Sequence, residues 1–251
     1  MRSWVKKYRT YIPKPVWRIL SYIRHRWFET CAQDSYAQNG EDLILDWYLG
    51  DKQTGFYVDV GAHHPKRYSN TYRLYRRGWK GINIDANPGS MRMFQRLRPR
   101  DINVEAAINS VSQELTFHIF KEPGLNTFDK NLALRHVDEG RSIIKKVAIV
   151  TVPLAELLDQ YVPHNTKIDL LTIDVEGLDY DVLKSNDWGR YLPAYILIEC
   201  IGVSSLDEVR SLDVTKFLSK YHYSSVAKST HTVLYKRVQH EINDSPEGSR
   251  S

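Results

Sequence analysis

From residue 55 onward, short β-branched apolar runs alternate with segments whose apolar residues recur every three or four positions. GFYVDVG reads as a strand ending in a turn, Tyr68 to Arg76 as a helix, and KGINIDANP as a second strand followed by a helix over Ser90 to Leu97. INVEAAI gives another strand, LTFHIF a strand-like segment, and VAIVTVP a run leading into a short helix at LAELLDQY. KIDLLTIDVEG is the clearest buried strand and YILIEC supplies the next. A helix is expected over Asp207 to Lys220, before YHYSSVA and HTVLYKR close as a hairpin. Continuous apolar strands separated by amphipathic helices predict a mainly parallel sheet covered on both faces. Ligands of such sheets sit beyond the carboxyl ends of the strands.

The first thirty residues follow a different pattern. Val16, Ile19, Leu20, Ile23 and Trp27 fall on one helical stripe with Arg18, Arg24 and Arg26 largely off it, so a helix is expected over about 15–28, opened by Pro15. Residues 1–30 hold eight Lys or Arg against Glu29 alone, whereas the whole chain carries +5, which leaves the remainder slightly acidic. A basic footprint confined to one end argues against a whole-domain nucleic-acid binder. The segment lacks both an 18-residue apolar run and a short apolar core before a small-residue cleavage site, so it reads as an interfacial helix suited to anionic lipid. Docking on the body of the protein or on a second subunit stays open, as does the oligomeric state. The expected organisation is a basic amphipathic leader at 1–30, one catalytic domain at 31–238 and a flexible tail at 239–251. Two cysteines, Cys31 and Cys200, fit neither a disulfide framework nor a metal or redox spacing, which points to a cytoplasmic protein, peripheral at the inner membrane face if the leader meets lipid.

Five acids fall at the expected strand ends: Asp59, Asp85, Asp174, Glu176 and Glu199. Gly61 follows Asp59 at the first strand-to-helix turn, where a missing side chain would let a ligand near the backbone and the next helix could offer free amides. The turn has no GxGxxG and no P-loop lysine, which disfavours an NAD-dependent oxidoreductase. Asp85, 24 residues beyond Gly61, can accept two hydrogen bonds from a ribose. A cofactor with an adenosine moiety is therefore expected.

The stretches SYAQNGEDLIL (35–45), FYVDVGAHHPKRYSNTYRLYRRGWKGINIDANP (56–88) and IDLLTIDVEGLDYDVLKSNDW (168–188), followed by ILIEC, are similar to the FkbM family of S-adenosylmethionine-dependent methyltransferases over about residues 33–237. The resemblance implies a class I methyltransferase fold, a Rossmann-like α/β sandwich with a seven-stranded sheet whose last strand is antiparallel. It places Asp59 and Gly61 by the methionine portion of the cofactor, Asp85 and Ala86 by the ribose, and AAIN with Ala107 and Asn109 by the adenine. Gln38 and Glu41 in a leading helix would cap the same pocket, and Asp174 would lie by the sulfonium and the acceptor. The chain departs from the wider superfamily in having His63, His64 and Pro65 where further glycines are usual. SNT (69–71) could steady that loop through side-chain hydrogen bonds.

The resemblance points to hydroxyl acceptors, commonly on saccharides or related natural products, and an alcohol needs somewhere to send its proton. Asp174, Glu176, Glu199 and His64 are the candidates for that role. Asp174 and Glu199 could alternatively hold Mg²⁺ or a similar hard cation. His63 has a structural hydrogen bond as its plainer reading, and His231 is placed on the acceptor side. PGLNTFDKNLALRHVDEG (123–140) is expected to be an acceptor lid with few core features. Trp79 and Trp188 read as packing anchors. An N-methyltransferase, a methyltransferase of a non-sugar small molecule, and a noncatalytic cofactor-binding or scaffold protein stay open as alternatives.

Overall fold

A computed structural model describes residues 13–27 and 33–238. The expected flexible tail lies outside them. The chain divides into two compact units, residues 1–34 and 35–251. In the first, α1 spans Lys14–Trp27, and Val16, Ile19, Leu20 and Tyr22 are 46, 61, 48 and 65% exposed. No helix of the described residues is long and apolar enough to cross a membrane.

In the second unit, α2 (Glu41–Leu49) precedes β1 (Phe56–Val60), α3 (Tyr72–Arg77), β2 (Lys80–Asp85), α4 (Met91–Leu97), β3 (Ile102–Glu105), β4 (Ala107–Ile108) and β5 (Glu114–Phe120). After α5 (Lys130–Asp138) come β6 (Ile143–Val152), α6 (Leu154–Tyr161), β7 (Leu170–Ile173), α7 (Asp179–Lys184), β8 (Tyr195–Glu199), α8 (Leu206–Ser211), α9 (Asp213–Ser219), β9 (Tyr223–Lys228) and β10 (Thr232–Arg237). Seven strands form one sheet in the order β3-β2-β1-β7-β8-β10-β9. The first five run parallel, and β10 is antiparallel to both neighbours, as a mostly parallel class I methyltransferase sheet requires. The antiparallel last strand is inserted between β8 and β9, so it is buried within the sheet instead of forming its edge.

Side-chain alternation divides the core into two faces. Val58, Val60, Leu171, Ile173, Ile196, Ile198 and Val233 pack with α6, α7, α8 and α9 on one side. Tyr57, Leu170, Leu197 and Leu234 pack with Leu45, Leu49 and Leu74 on the other. Trp79 and Trp188 are buried in opposite faces, as packing anchors should be. Asp46 receives ion pairs from Arg73 and Arg77, which tie α2 to α3.

Four local expectations change. The helix expected from Tyr68 starts only at Tyr72, because Tyr68 has φ +56° and the preceding loop is irregular. INVEAAI is two strands: β3 belongs to the main sheet, whereas β4 pairs with β6 in a separate sheet of order β4-β6-β5. The helix expected over Asp207–Lys220 is broken at Leu212, whose ψ of 141° is extended, and Thr215 Oγ1 donates to the Val209 carbonyl across the break. The 123–140 segment has a 3₁₀ turn at Pro123–Leu125, α5 and its own buried residues, Thr127, Leu132 and Ala133. Asp129 caps α5 by accepting from the amides of Asn131 and Leu132.

Candidate active site

Parallel register brings the carboxyl ends of four strands to one edge of the sheet: Val60 pairs with Ile84 and with Ile173, and Ile173 with Ile198. A cleft opens there, lined among others by Asp59, Gly61, Asp85, Asn87, Ile108 and Asp174.

Gly61 has φ +83°, and a Cβ on it would lie 1.7 Å from the Asp174 carbonyl oxygen. The glycine is thus required first by the close approach of the β1 and β7 ends, not by the ligand. The turn's own amides at Gly61 and Ala62 are spoken for, since both donate to the Ile84 carbonyl. Polar chemistry at this turn falls to side chains. Asp59 is 4% exposed, and its Oδ2 accepts from Thr71 Oγ1 at 2.5 Å. Burial pushes the Asp59 carboxyl up to about 6, against the pull of Arg98 and the Thr71 hydrogen bond.

Asp85 accepts from His63 N through Oδ2 and from Asn87 N through Oδ1, both at 2.8 Å. Burial raises its pKa while those bonds oppose the rise. Each oxygen retains further acceptor capacity, which suits the paired hydroxyls of a ribose. Ala86 joins it in the cleft, along with the apolar walls Val60, Ile84, Ile108 and Phe117. From the AAIN segment the wall takes Ala106 and Ile108. Ala107 and Asn109 are buried outside the lining, and Asn109 Oδ1 accepts from the Ser110 amide.

A second cavity adjoins the first, and both share Gln38, Tyr68, Asn70, Asp174 and Glu176. Asn39, Glu41, Glu199, His231 and Thr232 complete its polar wall. Gln38 lies in the turn before α2, not within it. Glu41 is committed to the fold, its two oxygens accepting from Asn39 N and Ser229 Oγ.

Asp174, Glu176 and Glu199 each offer an oxygen within 4.8 Å of the others. Among the described residues, no Lys or Arg lines either cavity. Burial and mutual repulsion push Glu199 up to about 10, Glu176 to about 7 by burial and Asp179, and Asp174 well above the usual carboxylate range. Glu199 Oε2 is buried without a hydrogen-bond partner. Such a cluster can accept a proton, hold hydroxyls, or supply oxygen ligands for a hard cation such as Mg²⁺.

The turn carrying Glu176 is itself strained: Glu176 has φ +54° and Gly177 φ +107°. Asp179, which sequence reasoning missed, holds it by accepting from Val175 N and Gly177 N. Thr127 Oγ1 donates to the Glu176 carbonyl from the 123–140 segment. The E-G-x-D spacing was the available signal for the first of these contacts; nothing local signals the second.

His64 is placed elsewhere. It lines neither cavity, and its Nδ1 accepts from Lys66 N and Arg67 N, so its lone pair shapes the turn. SNT does steady this loop: Ser69 Oγ accepts from Tyr72 N, Asn70 reaches Thr172 and Thr71 reaches Asp59.

A mostly parallel seven-stranded sheet with this strand order is that of a class I S-adenosylmethionine-dependent methyltransferase. The model of the methyltransferase FkbM domain matches residues 59–225, well over half of the chain, and the protein belongs to that family. Solved structures similar to it include a TehB-like SAM-dependent methyltransferase from Corynebacterium glutamicum, at 11% identity and TM-score 0.40, covering 90% of this chain and 100% of that one. Another is precorrin-6y C5,15-methyltransferase from Geobacter metallireducens, at 11% identity and TM-score 0.39, covering 82% and 92%. No curated protein matches the sequence.

Proposed function

We propose that this methyltransferase acts on a hydroxyl group of a saccharide or glycan. The observation that carries the reading is the second cavity, rich in carboxylates, amides and hydroxyls, which meets the cofactor cleft at Asp174 and Glu176. Such walls match a polyhydroxylated acceptor better than a flat apolar one. S-adenosylmethionine, when bound, supplies the activated methyl group. Asp85 and Ala86 would hold its ribose, Ile84 and Ile108 its base, and Asp59 its amino-acid end. Gln38, Asn70 and His231 would orient the acceptor, and the carboxylate cluster would take the hydroxyl proton, with Glu176 as the member that titrates near neutrality.

The exposed apolar residues of α1 and the basic charge of residues 1–30 support contact with an anionic membrane at the cytoplasmic face. Removing residues 1–30 is expected to abolish co-sedimentation with phosphatidylserine-containing vesicles; unchanged sedimentation would assign α1 to another partner.

Labelled-methyl transfer over a panel of sugars, aliphatic amines and phenols tests the acceptor class. Label in an alkali-stable sugar ether supports the reading, and label on nitrogen or on a phenol alone overturns it. Running the assay with EDTA and then with Mg²⁺ decides whether the cluster works as a proton acceptor or as a cation site.

A further inference from the structure

Arg98 follows α4 and is 0% exposed. Burying a cation is costly unless its donors are used, and an apolar residue of similar size would fill the space more cheaply. Its guanidinium lies about the rings of Tyr57, Tyr75 and Phe94, at 5.3, 5.3 and 5.6 Å from their centroids. Nε donates to Asp101 Oδ2 at 2.8 Å. The remaining arms go elsewhere: Nη2 donates to Tyr57 OH at 2.6 Å and to Thr71 Oγ1 at 3.0 Å, and Nη1 to Ser69 Oγ at 3.4 Å.

Counting donors fixes the direction of the chain. Arginine has no acceptor, so the Thr71 oxygen receives from Arg98 and its own proton must go to Asp59 Oδ2, 2.5 Å away. Thr71 occupies the N-cap position of α3 yet makes no capping bond there. Its hydroxyl is committed to Asp59, and the neighbouring Ser69 Oγ accepts from the Tyr72 amide in its place.

We propose that Arg98 and Thr71 are positioning residues for the cofactor, a buried relay in which the guanidinium orients the Thr71 hydroxyl and the hydroxyl holds the Asp59 carboxylate toward the cleft. The relay rests on the reading of that cleft as the S-adenosylmethionine pocket. It gives a role to a buried arginine 39 residues along the chain from the carboxylate it serves.

The groups facing Asp59 fix its titration. Burial above all, then Asp101 from the turn before β3 and Asp85 from β2, disfavour its ionised form, while Arg98 and the Thr71 hydroxyl favour it; Asp174 from the end of β7 is itself raised by Asp59. Losing the relay should therefore shift ionisation to higher pH, and recognition of a cationic amino-acid end should weaken below that new midpoint.

The test is calorimetric binding of S-adenosylhomocysteine to the full chain between pH 5.5 and 8.5, with thermal melts of the unliganded protein. Thr71→Val, which keeps shape and loses the hydroxyl, is expected to weaken binding at pH 7 about tenfold, as loss of one charge-assisted hydrogen bond should. It should also move the pH midpoint of binding upward. Thr71→Ser should restore both, and Arg98→Lys, which cannot fork to Thr71 and Tyr57 together, should fall between them. Wild-type affinity and midpoint in Thr71→Val and Arg98→Lys, with only a lowered melting temperature, would show that the network serves the fold alone. Wild-type protein that binds no S-adenosylhomocysteine would overturn the pocket itself and the relay with it.

Discussion

Asp85→Ala is expected to weaken S-adenosylhomocysteine binding by about a hundredfold, the loss of roughly 3 kcal/mol that two hydrogen bonds to an anionic acceptor provide. Asp85 also holds the amides of His63 and Asn87, so its removal loosens the loop over the cleft as well as the ribose contact. For that reason Asp85→Asn should be nearly as damaging. Both oxygens already face backbone donors, and an amide nitrogen in either place sets N–H against N–H. Isothermal titration of each variant, alongside its melting curve, checks this. An Asp85→Asn protein that folds normally and binds like wild type would remove the carboxylate from the cofactor site.

The distribution of what the sequence could and could not reveal follows from the range of the interactions involved. Strands β1, β2, β7 and β8 are covered on both faces, so their apolar runs are continuous and their ends are marked by acids. Asp59, Asp85, Asp174, Glu176 and Glu199 could therefore be located by strand position alone. Two kinds of information were hidden. One is the face of a short segment: β4 turns away from β3 after Ala106, which exchanges Ala107 and Asn109 for Ala106 and Ile108 in the cleft wall. A single residue of register decides this, and the sequence carries no local mark of it. The other is long-range pairing. The contacts of Thr71 with Asp59, Arg98 with Thr71 and Thr127 with Glu176 join segments that only the fold brings together. His64 shows the same limit from the opposite side, since an imidazole in a cofactor loop reads as a base until its Nδ1 is found accepting from two amides of its own turn.

Glu176→Gln is expected to lower kcat by about 10²–10⁴, the range for losing a general base, while S-adenosylhomocysteine still binds. Burial sets the Glu176 carboxyl at about 7, so the wild-type rate should rise with pH through that value as the carboxylate becomes able to accept a proton. The limb should vanish in Glu176→Gln. Glu199 behaves differently, because burial and its acidic neighbours raise it to about 10 and leave it a neutral acid at pH 7. Glutamine imitates a neutral carboxyl, so Glu199→Gln should retain most of the rate, and His64→Ala should retain it too. The same raised values give the apo protein a characteristic stability profile. Groups whose folded pKa exceeds the unfolded one stabilise the fold below about pH 4, and that contribution is lost as pH rises through the folded values of about 6, 7 and 10 for Asp59, Glu176 and Glu199. Stability of the apo protein should accordingly fall between pH 5 and 8, with Glu176→Gln showing a shallower fall. A rate limb near pH 7 that persists in Glu176→Gln but disappears in Glu199→Gln or His64→Ala would transfer the base to that residue.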